Sequence, residues 1–185
     1  MSRISLRLIA AEVKACQLCP LAKGRTRAVP GEGPQDAKIV LVGEAPGRDE
    51  DISGRPFVGR AGKLLNSVLE SAGARRSEVF VTNVVKCRPP KNRQPRRKES
   101  ETCRDAYLFR QIGIVKPDLV VLLGRTAAQS ILGVDSLGRV RGKVVNHKGT
   151  KYICTYHPAA VLRNPNLRET MVRDLRSLRS PALSA

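Results

Sequence analysis

The chain has 185 residues, enough for one hydrophobic core and too few for two. Its 41% hydrophobic and 27% charged residues exclude a disordered or fibrous chain, while 34 lysines and arginines against 16 acids give a net charge of +18 that calls for a polyanionic partner, nucleic acid first. The longest apolar runs are too short to span a bilayer, and Arg3, Arg7 and Glu12 interrupt the N-terminal stretch where a signal peptide needs unbroken apolar residues, so a cytoplasmic, nucleoid-associated protein is expected.

Four β-branched runs read as strands: 38–43 (KIVLVG), Val79 to Val84, Asp118 to Gly124 and Lys151 to Tyr156. Between the first two lies a helix with Leu64, Leu65, Val68, Leu69 and Ala72 on one face and Gly73 as its stop. Further helices are expected from about Pro95 to Val115, from Arg125 to Leu132, and from Asn166 to Leu178. Strands alternating with helices imply an α/β fold, a central four-stranded, mostly parallel sheet covered on both faces in one domain spanning 1–185. No internal repeat or linker-like tract marks a boundary.

In such a sheet ligands bind beyond the carboxyl ends of the strands. That rule selects Gly43-Glu44-Ala45-Pro46-Gly47, Thr82-Asn83, Gly124-Arg125-Thr126 and Tyr156-His157-Pro158, which gather on one rim. Asn83 closes the second strand, where its amide can cap a turn or pair with the N3–H and O4 edge of uracil. His157 precedes Pro158, where a ring nitrogen can donate to charge developing on a substrate oxygen. His147 reads as an exposed turn. Of the six aromatics, Phe57 alone stands in a loop, GRPFVG, where its ring must plug the core or stack on something planar such as a base.

Five cysteines without an export signal argue against a disulfide framework. Cys16 and Cys19 are spaced C-x2-C, Cys87 and Cys103 can complete a four-thiolate set, and Cys154 sits mid-strand as core. Structural zinc and a 4Fe-4S cluster both fit such a set, and the fifteen residues between Cys87 and Cys103 favour the cluster. Residues 86–98 (KCRPPKNRQPRRK) hold seven basic residues in thirteen and no acid, which makes Lys86, Arg88, Lys91, Arg93, Arg96 and Arg97 candidates for phosphate contact. The acidic run Asp49-Glu50-Asp51 is the opposite case, since carboxylates in a basic protein repel DNA unless they face a developing cation.

The stretches GEAPGRDED, GRPFVGRAG, TNVVKCRPPKNRQP, LLGRTAAQSIL and TYHPAAVLRNP, in that order and with the four cysteines, resemble the family 4 uracil-DNA glycosylases from about Cys16 to Pro165. The resemblance implies a three-layer α/β/α fold, a 4Fe-4S cluster on Cys16, Cys19, Cys87 and Cys103, and a monomer that removes uracil from single- or double-stranded DNA in base excision repair. It implies a uracil pocket of Glu44, Phe57, Asn83 and His157. Residues Pro158 to Arg163 would enter the minor groove as a loop, with Val161 or Leu162 as the apolar wedge and Arg163 beside it. Where family 1 enzymes have the tyrosine of GQDPY, this chain has Gly47, and the Glu50 side chain is expected to fill the space that excludes thymine. The water-activating aspartate of family 1 falls on Ala45, so the implied chemistry is dissociative: His157 stabilises the uracil anion and Glu44 or Glu50 supports the sugar cation. No lysine lies in a nucleophile motif, so a glycosylase without strand cleavage is expected. Two rivals remain, a non-catalytic nucleic-acid-binding module and a superfamily relative with another base preference. The KRRIH-type insertion of the covalent branch does not occur between Asn83 and Cys103.

Overall fold

The computed structural model of the chain describes residues 5–176. Strands β1 (Ile39–Gly43), β2 (Val79–Asn83) and β3 (Leu119–Leu123) form where the apolar runs predict them, β4 (Val144–His147) is additional, and β5 (Thr150–Thr155) occupies the fourth run. The helices are α1 (Leu6–Ala15), α2 (Arg48–Ser53), α3 (Arg60–Ser71), α4 (Arg97–Cys103), α5 (Phe109–Val115), α6 (Arg125–Leu132), α7 (Leu137–Val140), α8 (Pro158–Arg163) and α9 (Leu167–Arg176). Among the described residues none of them is long and apolar enough to cross a membrane.

The sheet has the order β2-β1-β3-β5-β4, parallel except for β4 against β5. Among the described residues it thus has five strands, not four, and His147 belongs to the antiparallel edge strand and not to a turn. β4 is four residues long with no buried position, so it lacks the apolar alternation by which a strand is recognised.

Side chains of a strand alternate between faces, and β1 shows how this builds two cores. Val40 and Val42 join Ile9 and Val13 of α1, Ile112 of α5 and Ala127 and Ile131 of α6 on one face. Leu41 meets Leu65, Val68 and Leu69 of α3 and Met171 and Leu175 of α9 on the other. Truncating one of these leucines to alanine costs about 2 to 5 kcal/mol, so either layer alone can undo the fold. Cys154 is fully buried in the first core, as its mid-strand position predicts.

The helix expected from Pro95 to Val115 is one run in which a π turn (Arg104–Leu108) joins α4 to α5 directly after Cys103. Leu178, expected at the end of the last helix, lies outside the described residues. The segment Pro158–Arg163, expected as a loop, is helix α8: Pro158 presets φ at its first position and His157 caps it.

Candidate active site and cysteine pocket

Parallel register puts Gly43 and Asn83 side by side at the carboxyl ends of β1 and β2. The rim residues grow from there. A side chain at position 43 would strike both Oδ1 of Asn83 and Cζ of Phe57, each within 2.5 Å of where its Cβ would stand, so glycine lets these two meet over the strand end. Asn83 is 1% exposed, and its Oδ1 is buried without a hydrogen-bond partner. An unpaired buried amide oxygen costs about 1 to 3 kcal/mol, which marks a place kept for a donor.

Phe57 is 6% exposed and packs with Leu41 and Leu65, so its ring does plug the core. It also faces the His157 ring, with centroids 5.8 Å apart at 34°. Its backbone has φ +53°, an outlier for so bulky a residue that costs on the order of 1 to 3 kcal/mol. Three anchors hold it there. Gly62 of α3 leaves room for the Phe57 carbonyl, which any Cβ would hit; Arg76 Nη2 donates to Pro56 O at 2.9 Å; and Arg55 pairs with both oxygens of Glu32.

Glu50 reaches the same loop from α2. Its Oε1 accepts from Val58 N and Gly59 N, both at 2.9 Å, and its Oε2 from Gly47 N at 3.0 Å. The carboxylate is therefore committed to main-chain amides. Its Oε2 also stands 2.8 Å from where a Cβ at residue 47 would lie, in the space that Gly47 leaves open.

Glu44 and His157 line an open cleft of about 610 Å³, together with Pro46, Thr126, Tyr156 and Arg163. Neither Asn83 nor Phe57 lines it, although the Phe57 ring faces that of His157. Glu44 Oε2 accepts from Thr126 Oγ1, which accepts in turn from Gln94 Nε2 at 2.9 Å, so the carboxylate has a fixed direction. His157 Nδ1 accepts from Ala159 N at 3.1 Å, which leaves Nε2 to carry the proton. Burial, and then the charge of Arg163, pulls the imidazolium down to about 4, so the ring is neutral at neutral pH.

The sequence did not point to Arg76 or Gln111, whose roles depend on distant segments, whereas Thr126 and Gln94 sit in motifs it had marked.

The basic segment divides. Lys86 is only 1% exposed, with its ammonium on Thr82 Oγ1 at 2.6 Å, Gln111 Oε1 at 2.7 Å and Asn83 O at 2.8 Å, so it cannot touch a phosphate. Burial lowers it to about 8. Arg93 is bidentate to the buried Glu99, and Arg97, on the surface, pairs with Glu101. Arg88 Nε donates to Asn92 Oδ1, and Lys91 and Arg96 are exposed. Of the two wedge candidates, Val161 is 2% exposed and packed in the core, while Leu162 is 38% exposed. Of the two, only Leu162 presents its side chain to solvent.

Cys16, Cys19, Cys87 and Cys103 line one small pocket with Val13, Lys86 and Tyr107. Among the described residues no three His, Cys, Asp or Glu side chains stand as a ready-made metal site. The donor chemistry nonetheless suits soft-metal ligation: four free thiols, apolar walls, and donors aimed at sulfur from Arg25 Nη1 (3.0 Å to Cys87), Leu18 N (3.4 Å to Cys16) and Lys86 N (3.3 Å to Cys103). Burial pushes the Cys103 thiol up to about 12 and raises that of Cys87, so thiolates here need a cation beside them.

The sequence model of the Uracil DNA glycosylase superfamily matches residues 30–177. A type-4 uracil-DNA glycosylase of Archaeoglobus fulgidus is 49% identical over 183 residues, covering 94% of this chain and 92% of that protein. One from Thermotoga maritima is 44% identical over 180 residues (95% and 93%). A type-5 uracil-DNA glycosylase of Pyrobaculum aerophilum is 34% identical over 151 residues, covering 72% and 66%.

Proposed function

The chain belongs to the uracil-DNA glycosylase superfamily, in its type-4 family, and from that premise we propose how its rim excises uracil from DNA in repair. The observation that carries the reading is the buried, unpartnered Oδ1 of Asn83 beside the Phe57 ring. An everted uracil stacks on Phe57, gives its N3–H to that oxygen and takes a hydrogen bond from the amide NH2 on O4. Cytosine has no proton on N3 and an amine on C4, so both pairings fail, at about 1 to 3 kcal/mol each. Glu50, in the space beside Gly47, excludes the thymine methyl by shape. It also holds the Phe57 loop, which replaces the direct support of the sugar cation expected of it.

Cleavage is dissociative. The C1′–N1 pair of electrons leaves with the base, the neutral His157 donates from Nε2 to the charge on uracil O2, and the Glu44 carboxylate faces the sugar cation. Water then adds to C1′ and leaves an abasic site. Ala45 offers no group to activate that water. The Lys86 ammonium is saturated and no lysine lies in a nucleophile motif, which supports a monofunctional enzyme. Borohydride should trap no adduct with DNA; a trapped adduct overturns this point.

Cys16, Cys19, Cys87 and Cys103 would hold a 4Fe-4S cluster, which supplies an anchor for the basic segment and takes no part in bond breaking. Arg88, Lys91, Arg96 and Arg97, with Arg93 through its exposed part, and Arg163 meet phosphates, and Leu162 fills the vacated stack of a duplex. The enzyme works as a monomer on single- or double-stranded DNA. The test is uracil release by Asn83→Ala. A fall on the order of 100-fold with DNA affinity retained is expected; wild-type rates would refute the pocket.

A further inference from the structure

β2 carries the residue that reads the base, yet it is the edge strand of the sheet. Its inner side is bonded to β1 through Gly43 and Asn83. Among the described residues its outer side pairs only in an isolated bridge, in which Val81 N donates to Glu32 O at 2.8 Å and Val81 O accepts from Glu32 N at 2.9 Å. Carbonyls two apart along a strand point the same way, so the Asn83 carbonyl also faces outward, one pair beyond that bridge. Among the described residues no strand is there to receive it. The Lys86 ammonium does so, at 2.8 Å.

We propose that Lys86 is a positioning residue of the base pocket: by binding the Asn83 carbonyl it fixes the Asn83–Val84 peptide and so the direction of the Asn83 amide. This rests on the reading of Asn83 given above. The ammonium has three protons and three acceptors, Thr82 Oγ1, Asn83 O and Gln111 Oε1, so it has one orientation. The acceptors are themselves tied down. Gln111 Nε2, from α5, and Thr82 Oγ1 both donate to Pro30 O, at 2.7 and 3.0 Å. The main chain of Lys86 is pinned as well, its carbonyl by Val29 N at 2.8 Å and its N–H on Cys103 Sγ at 3.3 Å. A buried ammonium carries a heavy desolvation cost that an apolar side chain of equal length avoids, so filling space does not account for it. What methionine could not supply is a donor to Asn83.

The test compares Lys86→Met, the double variant Lys86→Met/Gln111→Leu and Asn83→Ala. In the double variant Gln111 no longer leaves an unpaired oxygen, while Thr82 still serves Pro30. Both Lys86 variants are expected to lose about 30-fold in kcat with KM for a uracil oligonucleotide within about threefold. The double variant is expected to recover part of the Tm lost by Lys86→Met, the Asn83 carbonyl still lacking its donor, without recovering the rate. A rate that returns together with Tm, or kcat within about twofold of wild type, overturns the proposal. Should the Lys86 variants not fold, Thr82→Val removes one acceptor with the lysine in place; about a fivefold fall in kcat at constant KM supports the proposal, and an unchanged kcat overturns it. Full activity of Asn83→Ala would sink the pocket reading itself; an inactive Asn83→Ala beside a normal Lys86→Met sinks only this inference.

Discussion

Glu50 and Phe57 are linked through the main chain. The carboxylate accepts from the N–H groups of Val58 and Gly59, the two residues that follow the strained Phe57, and its other oxygen accepts from the N–H of Gly47, the residue that precedes α2. Glu50→Gln would turn an NH2 toward one of these donors and leave at least one amide unpaired. We expect a loss of about 1 to 3 kcal/mol in thermal unfolding and about a tenfold fall in single-turnover uracil release. An unaltered Tm would show that the clamp is not needed.

The His157 ring predicts a pH signature. Its folded-state pKa, about 4, lies below the ordinary 6.5, so the unfolded chain binds the proton more readily. The stability it contributes is complete above about pH 6.5 and is lost as pH falls through about 4, at most on the order of 3 kcal/mol. Uracil release should accordingly show no histidine limb near pH 6.5. Such a limb, present in the wild type and absent in His157→Gln, would contradict a neutral ring.

Leu162 and Val161 are neighbours with opposite fates, and truncating each should read out differently. Leu162→Ala is expected to lose about tenfold in rate on duplex substrate and little on single strands, where no stack has to be filled. Val161→Ala should instead lower stability by about 1 to 3 kcal/mol and treat both substrates alike. Equal losses for Leu162→Ala on the two substrates would remove the wedge.

Cys87 stands near the start of the basic segment and Cys103 ends α4, so a cluster held in their pocket would anchor both ends of the segment between them. Cys87→Ala should abolish absorbance at roughly 400 nm and weaken DNA binding more than it alters the preference for uracil over cytosine. Retained affinity in a colourless variant would argue against anchoring.

The parallel core was legible because its strands are continuous apolar runs, and the rim because strand ends are where such folds place ligands. β4 was not, since a polar edge strand has no buried face to announce it. Lys86 stands in a run of basic residues, where composition predicts solvent or phosphate; only the three-dimensional meeting of Thr82, Asn83 and Gln111 gives its ammonium an interior place. Glu50 was carried over from the loop of the family that the sequence resembles, but its commitment to three backbone amides depends on the path of a loop that the sequence leaves open. Val161 and Leu162 differ by where a short helix turns, which no pattern of six residues fixes.

The cap on α8 gives His157 two employers. One ring nitrogen caps the start of the helix that carries Leu162, and the other is the donor we propose for uracil, so a substitution there would injure the scaffold and the proposed chemistry together. The cap alone is worth about 0.5 to 2 kcal/mol. Rate losses from alanine at this position would therefore overstate the donor's share, and asparagine, which ends helices as well as any residue, is the replacement that tells the two apart.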